Sequence, residues 1–169
     1  MPISLRRARA SDAPLLRHWD AQPHVIAAKG TEDWQWETEL SALAPGRDPL
    51  IIELDGRPIG YVELAVPALD PTAYWGDVAA GERALDIWLG EPNLLSRGHG
   101  SEAMRQAIDR CFADPAASGL LIDPLADNTA AQRFYERLGF QFVEHRTFGD
   151  DDHCAVYRLS RADWEARRH

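Results

Sequence analysis

The chain has 169 residues, 45% of them hydrophobic and 27% charged, a size and balance typical of one globular domain spanning residues 1–169. Its net charge of −9 at pH 7 disfavours nucleic acid as a partner, because nucleic-acid binding depends on Lys and Arg, and it permits a cationic substrate. No apolar run reaches the roughly 18 residues of a membrane span, and no signal peptide is evident. We therefore expect a cytoplasmic protein without membrane contact, as a monomer or homodimer.

Hydrophobic periodicity, helix caps and turn residues predict alternating strands and helices. In chain order the pattern predicts a strand at 3–9, a helix capped by Ser11-Asp12, a loop at 24–30, a helix capped by Thr31, strands at 50–54 and 57–66, a long loop at 67–81, a strand at 83–89, a helix at 98–112, a strand at 120–122, a helix at 129–138, strands at 140–146 and 153–159, and a short helix capped by Ser160. A strand–helix–strand unit flanked by hairpins predicts an α/β fold with a mixed, mostly antiparallel central sheet flanked by helices.

The cysteines and histidines show none of the spacings that hold metal ions, so we expect no bound metal. Cys111 lies on the apolar stripe of a predicted helix, and Cys154 lies in a predicted strand. Both positions indicate buried free thiols, which suit a reducing compartment.

The junction between the strand at 83–89 and the helix at 98–112 carries the segment Arg97-Gly98-His99-Gly100-Ser101. A helix start has backbone N–H groups without partners and the positive end of the helix dipole, so it attracts anions. Glycine lets the backbone approach a phosphate closely. By itself, the Gly-x-Gly pattern fits a tight strand-to-helix turn equally well.

Together with the segment that follows, the junction resembles the GCN5-related N-acetyltransferases (GNAT enzymes), which transfer an acetyl group from acetyl-CoA to an amine. The resemblance rests on Gly98 and Gly100, in a loop that holds the CoA pyrophosphate in that family, and on Asn128, Phe134-Tyr135 and Gly139-Phe140. Leu95 stands where the family loop has Arg or Gln, although Arg97 could supply the charge. The resemblance covers residues 50–145 and is nearest to the aminoglycoside 6′-N-acetyltransferases. It implies a GNAT fold, acetyl-CoA as co-substrate and a small-molecule amine as acceptor.

The resemblance also implies which residues contact acetyl-CoA. A backbone N–H near Leu89-Gly90 would polarise the thioester carbonyl. Asn128 would contact the CoA arm, although an Asn at this position is also a good helix N-cap. The residues expected to bind the cofactor are Trp88, Leu89, Arg97, Gly98, His99, Gly100, Ser101, Asn128, Ala131 and Phe134.

Asp86 is the charged residue of the segment Ala84–Leu89, and strand alternation places it on one face with Ala84 and Trp88. It is either a solvent-facing residue or a carboxylate in a cleft, where it could accept a proton or anchor an ammonium group. Its position fourteen residues before Gly100 matches the catalytic Asp of the similar aminoglycoside enzymes. The amine that has attacked a thioester is far more acidic than a free ammonium, so a carboxylate can take its proton.

Tyr135 is either a core tyrosine or, by resemblance, the group that donates a proton to the departing thiolate. A phenol with a pKa of about 10 can aid a thiolate whose acid has a pKa of about 8.5, although the reaction does not require it.

Acidic and aromatic residues elsewhere could line the cleft that binds the amine. Carboxylates suit ammonium groups, and aromatic faces suit sugar rings or cations. Asp123 precedes Pro124 and could equally form a turn. The expected acceptor-binding residues are Trp34, Asp70, Tyr74, Trp75, Asp86 and Asp123.

The favoured hypothesis is therefore an acetyl-CoA-dependent N-acetyltransferase acting on an aminoglycoside-like polycationic amine. A polyamine or a protein or peptide amine is the alternative acceptor. Siderophore hydroxylysine acyltransferases are relatives, but the His expected in the strand is missing. A CoA-binding sensor without turnover is the second hypothesis. A nucleotide-binding protein is the third and ranks low, because the sequence has neither the Lys-Ser/Thr of a P-loop nor the third glycine of a dinucleotide fingerprint.

Overall fold

A computed structural model of the chain describes residues 2–30 and 33–168, which form seven strands and six α-helices. The elements are β1 (Ile3–Arg7), α1 (Ala13–Asp20), α2 (Pro23–Lys29), α3 (Trp36–Ser41), β2 (Asp48–Leu54), β3 (Arg57–Ala65), β4 (Glu82–Leu89), α4 (His99–Phe112), β5 (Gly119–Ile122), α5 (Thr129–Arg137), β6 (Gln141–Phe148), β7 (Asp152–Ser160) and α6 (Arg161–Arg167).

The strands form one sheet in the order β1-β2-β3-β4-β5-β7-β6. β4 and β5 are parallel, and the other neighbouring pairs are antiparallel. Two parallel strands need a crossover connection, and α4 supplies it between β4 and β5. The mixed, mostly antiparallel sheet predicted from the sequence is confirmed.

Most predicted elements are confirmed, and two predictions near the N-terminus are wrong. Residues 24–30 were expected to be a loop, but Pro23–Lys29 forms α2. Pro23 does not prevent this helix, because proline is tolerated in the first turn. The helix that was expected to follow a Thr31 cap is α3, but it begins only at Trp36 and is preceded by Gln35. Thr31 itself lies outside the described residues. Ser160 caps α6 as predicted, since its hydroxyl accepts a hydrogen bond from the Asp163 N–H at 3.1 Å.

The two faces of the sheet are covered by different helices. On one face, α4, α5 and α6 pack against apolar residues from most of the strands. On the other face, α1, α2 and α3 cover a cluster rich in aromatic residues that includes Tyr61 of β3 and Trp88 of β4. A separate cluster on that second face includes Ala84 of β4, Phe148 and Trp75. Because Asp86 alternates with Trp88 and Ala84 along β4, it lies between these two clusters.

The cysteine prediction is confirmed, because Cys111 and Cys154 are both buried and free. Within residues 2–30 and 33–168, no helix has the length and apolar character needed to cross a membrane. No group of His, Cys, Asp or Glu in those residues could hold a metal ion.

Candidate active site

The site is built around the point where β4 and β5 diverge. The two strands pair only from Glu82 to Ala84 of β4, which lie opposite Gly119 to Leu121 of β5. β4 continues to Leu89, paired on its other edge with β3. The edge of β4 beyond Ala84 therefore faces an opening between the strands, where backbone groups are available to an extended ligand.

The hydrogen bonds to β3 decide which peptide groups face this opening. The Gly90 N–H donates to the Ile59 carbonyl oxygen at 2.8 Å, so it cannot serve a substrate. Neighbouring residues of a strand point their N–H groups to opposite edges, and the N–H of Leu89 therefore points away from β3. Of the two residues named by the prediction, Leu89 and Gly90, it is Leu89 whose N–H faces the opening, and its contact with a thioester stays a prediction.

Trp88 does not face this opening. Its side chain is 5% exposed and packs in the aromatic cluster on the opposite face from α4 and α5. It lies opposite Tyr61 of β3, with ring centroids 4.9 Å apart. Trp88 was predicted to bind the cofactor. Strand alternation instead directs its side chain to the face of β4 that carries Asp86, where it packs beside Asp86 in the aromatic cluster.

The start of α4 has the geometry expected of an anion site. Gly98 precedes the helix with φ of +84°, a left-handed conformation that favours glycine. The N–H groups of His99, Gly100 and Ser101 belong to the first turn, where no intrahelical acceptor exists. A Cβ on Gly98 would meet no atom within 4 Å, and Arg97 beside it is exposed. These residues fit a pyrophosphate, whose charge the helix start would favour.

α5 lies beside this helix start. A Cβ on Gly100 would lie 3.9 Å from the Phe134 ring, so the two predicted cofactor-binding residues are brought together. The Asn128 side chain accepts a hydrogen bond from the Ala131 N–H at 3.2 Å, which confirms it as the N-cap of α5. A contact of Asn128 or Ala131 with CoA remains a prediction.

Asp86 has a carboxylate neighbour on the adjacent strand β3. Glu63 of β3 is paired with Asp86 in the strand register and is 7% exposed. Its carboxylate accepts hydrogen bonds from the Tyr61 hydroxyl at 2.6 Å and from the Arg47 Nε at 3.2 Å. Since the Glu63 carboxylate is held by Arg47 and Tyr61, Asp86 is the member of the pair that can act on a substrate.

The Asp86 side chain is exposed to solvent, but it lies at the bottom of a cleft. The surrounding protein leaves its carboxyl less hydrated than one on the open surface. This desolvation raises its pKa well above the ordinary range, and the charges of Asp123 and Glu63 raise it further. Arg47 and Lys29 act in the opposite direction. A carboxylate with a raised pKa is a better base than an ordinary one.

Asp123 lies just after β5, on the other strand that borders the opening. The Tyr74 hydroxyl donates a hydrogen bond to its carboxylate at 2.6 Å. Burial raises the pKa of Asp123 to about 6, although the Tyr74 hydrogen bond opposes that shift. Asp86 and Asp123 thus border the same opening between β4 and β5, and the charge of Asp123 contributes to the raised pKa of Asp86.

Tyr135 lies on α5 and faces the same region. Its ring is 7% exposed and packs against Phe134 and Phe140. Burial raises its pKa first, and the charges of Asp86 and Asp123 raise it further, so the phenol stays protonated. Its hydroxyl has no hydrogen-bond partner in the part of the chain that the structure describes, which leaves its proton available to a bound substrate.

Of the aromatic residues predicted to line the acceptor cleft, Trp34 and Tyr74 are accessible and Trp75 is buried. Trp34 is half-buried at the edge of the aromatic cluster, with Lys29 Nζ 5.3 Å from its ring centroid. Tyr74 is 44% exposed and stacks on Phe148 at 4.5 Å. Trp75 is 8% exposed and packs edge-on against Phe148, so its side chain anchors the loop instead of lining the cleft.

Asp70 is also occupied elsewhere. Its carboxylate accepts hydrogen bonds from the Thr72 N–H at 2.9 Å and from the Thr72 hydroxyl at 2.8 Å. A short acidic side chain commonly holds its own turn in this way. The structure therefore gives Asp70 a role in shaping its loop, and a contact of Asp70 with the acceptor stays a prediction.

Three functional neighbours were missed in the sequence. Glu63 interrupts an apolar strand on the same face as Tyr61, and that signal was present. Arg47 follows a Pro-Gly turn and shows no local signal for its ion pair with Glu63. Lys29 was placed in an expected loop, whereas α2 buries it beside Asp20, with Nζ 3.3 Å from the Asp20 carboxylate.

Comparison with known proteins agrees with this geometry. A family model for an acetyltransferase (GNAT) domain matches residues 8–148. The chain is 31% identical over 165 residues to the lysine N-acyltransferase MbtK of Mycolicibacterium paratuberculosis, covering 94% of this chain and 73% of that protein. It is 29% identical over 166 residues to the aminoglycoside N(6′)-acetyltransferase type 1 of Klebsiella pneumoniae, covering 93% and 82%.

Solved structures give the same picture. The aminoglycoside acetyltransferase AAC(6′)-Ib in complex with coenzyme A has a TM-score of 0.88 and 25% identity, covering 99% of this chain and 100% of that one. The complex of that enzyme with coenzyme A and kanamycin also has a TM-score of 0.88, at 24% identity with the same coverage.

Proposed function

Because the chain belongs to the GNAT acetyltransferase family and is an acetyl-CoA-dependent N-acetyltransferase, we propose that its acceptor is a small polycationic amine of the aminoglycoside type. The relative from Klebsiella pneumoniae acts on this class of compound by name, and AAC(6′)-Ib has been solved with kanamycin. The cleft of this chain supports the same assignment from its own residues.

The pair of carboxyls in the cleft carries the proposal. Asp86 and Asp123 border the opening between β4 and β5, and their pKa values are both raised. Two desolvated carboxyls that repel each other gain most from a ligand that brings more than one positive charge. The half-buried Trp34 and the exposed Tyr74 add aromatic surface for a sugar ring or a cation.

The proposed chemistry follows from the positions of three groups. The amine nitrogen forms the new bond to the acetyl carbon as the bond from that carbon to sulfur breaks. The Leu89 N–H, on the open edge of β4, stabilises the charge that develops on the carbonyl oxygen. Asp86 takes the proton that the nitrogen loses, and the Tyr135 hydroxyl donates its proton to the sulfur.

A lysine-type amine is a second candidate acceptor. It is favoured by the 31% identity to the lysine N-acyltransferase MbtK over 94% of this chain. A free amino acid carries a carboxylate, which the pair of carboxyls in the cleft would repel at neutral pH. For that reason we rank the polycationic amine first.

The test is a panel of amines with acetyl-CoA, read as the release of free thiol. The panel contains kanamycin, ribostamycin, spermidine, lysine, N6-hydroxylysine and a lysine-containing peptide, and a reaction without amine gives the background hydrolysis. We expect the highest kcat/KM for the aminoglycosides. Preferred turnover of lysine or its hydroxylamine would refute the proposed acceptor and support the second candidate.

We also propose that the enzyme works in the cytoplasm, where its two buried thiols would remain reduced, and that it confers aminoglycoside resistance. Expression in a susceptible bacterium should raise the inhibitory concentration of kanamycin. An inactive Asp86→Asn variant expressed at the same level is the control. Equal inhibitory concentrations for the two strains would contradict the resistance role.

A further inference from the structure

α2 brings an unexpected side chain to the end of β4. The His24 Nε2 atom lies 2.9 Å from the carbonyl oxygen of Leu89. A carbonyl oxygen can only accept a hydrogen bond, so this nitrogen must carry the hydrogen and donate it. His24 is half-buried and lies in the stretch that the sequence pattern assigned to a loop.

The contact fixes the peptide group between Leu89 and Gly90 at both of its ends. The N–H of that peptide donates to the Ile59 carbonyl in β3 at 2.8 Å, and its oxygen accepts from His24 in α2. The peptide plane is thus held between the sheet and a helix. The Trp19 ring packs directly against Gly90, where a Cβ would lie 2.2 Å from it, and so restricts the same peptide.

The fixed peptide directly follows the donor that the reaction uses. A strand residue directs its N–H and its carbonyl toward the same edge, so the Leu89 N–H and the Leu89 oxygen both face the opening beyond Ala84. Because His24 holds the Leu89 oxygen, the backbone angles of Leu89 are restricted, and the direction of the Leu89 N–H is set. Preorganised donors stabilise developing charge because they need no reorganisation during the reaction.

We propose that His24 is a positioning residue for acetyl transfer, whose imidazole N–H orients the Leu89 N–H toward the thioester carbonyl. His24 touches neither the acetyl group nor the amine in this role. It acts through the Leu89 peptide, and its contribution does not depend on which amine the enzyme accepts.

The test compares His24→Leu, which removes the donor, with His24→Gln, whose Nε2 amide can donate from a similar position. His18→Leu, on the exposed side of α1, is the matched control. For each variant we measure the dissociation constants of acetyl-CoA and of CoA, and kcat with the best amine of the panel. CoA has no thioester carbonyl, so it reports binding that does not involve the Leu89 N–H.

We expect His24→Leu to weaken acetyl-CoA relative to CoA by about two- to ten-fold, the range of one hydrogen bond. Its kcat should fall by about ten-fold or more, less than for deleting an oxyanion donor outright. His24→Gln should recover most of both losses, and His18→Leu should match the wild type. If His24→Leu changes both dissociation constants by the same factor, or keeps wild-type kcat, the positioning role is wrong. The comparison of the two dissociation constants needs no acceptor, so its outcome is independent of the proposed aminoglycoside substrate.

Discussion

Replacing Asp86 by Asn tests the centre of the proposed mechanism. The change keeps the size of the side chain and removes both its charge and its ability to take a proton. A positioned general base contributes about 10²- to 10⁴-fold to a rate, so kcat should fall by that factor, equivalent to about 3–5 kcal/mol of barrier. Glu63 cannot replace Asp86, because Arg47 and Tyr61 hold its carboxylate.

The stability of the variant separates a catalyst from a structural residue. Desolvation and the charges of Asp123 and Glu63 raise the pKa of Asp86 in the folded protein. A carboxyl whose folded pKa lies above its unfolded value stabilises the fold at low pH and loses that contribution as the pH rises. At neutral pH, above the ordinary pKa of a carboxyl, Asp86 therefore opposes folding, and Asp86→Asn should melt at or above the wild-type temperature.

The assay is steady-state kinetics of the pure variant with the best amine, beside its melting curve and its dissociation constant for acetyl-CoA. Asp123→Asn is the control, because it removes an equal charge from the same cleft without removing the base. We expect it to raise KM while kcat stays within about ten-fold of wild type, the pattern of lost substrate binding. A kcat of Asp86→Asn within two-fold of wild type would refute the general-base role. A raised KM with kcat intact would make Asp86 an ammonium anchor.

Two further predictions concern the phenol and the second carboxyl. Tyr135→Phe should lower kcat by about ten-fold or more, as expected for loss of a positioned proton donor. It should change the free energy of unfolding by less than about 1 kcal/mol, because the hydroxyl has no hydrogen-bond partner among residues 2–30 and 33–168. Unchanged turnover when chemistry limits the rate would make Tyr135 a core residue only. The pKa of Asp123 is raised to about 6 by burial, so wild-type stability should fall as the pH rises from about 4 through 6. Asp123→Asn, which keeps an acceptor for the Tyr74 hydroxyl, should then stabilise the protein at pH 7.5 by about 1–3 kcal/mol and much less near pH 4, as measured by urea unfolding. Equal gains at both pH values would show that its charge does not oppose folding.

Local patterns predicted most of the elements and part of the site. Gly98 was identified from its position before a helix, and the structure gives it the left-handed backbone that glycine accommodates. Asn128 was identified as a cap and proves to be one. The error at α2 has a physical cause, because a seven-residue helix with proline in its first turn carries too little periodicity to outweigh the loop signal of Pro23 and Gly30.

Local sequence patterns predicted the order of the seven strands and, apart from α2, of the helices between them. They also predicted the start of α4 after Gly98 and the face of β4 that carries Asp86. These follow from the spacing of neighbouring residues along one segment. Three features were not predictable in this way: β4 and β5 diverge after three residue pairs, Trp75 is buried, and His24 contacts the Leu89 carbonyl oxygen. Each of these depends on residues far apart in the chain, whose contacts are set by strand register and helix packing and leave no local periodic signal.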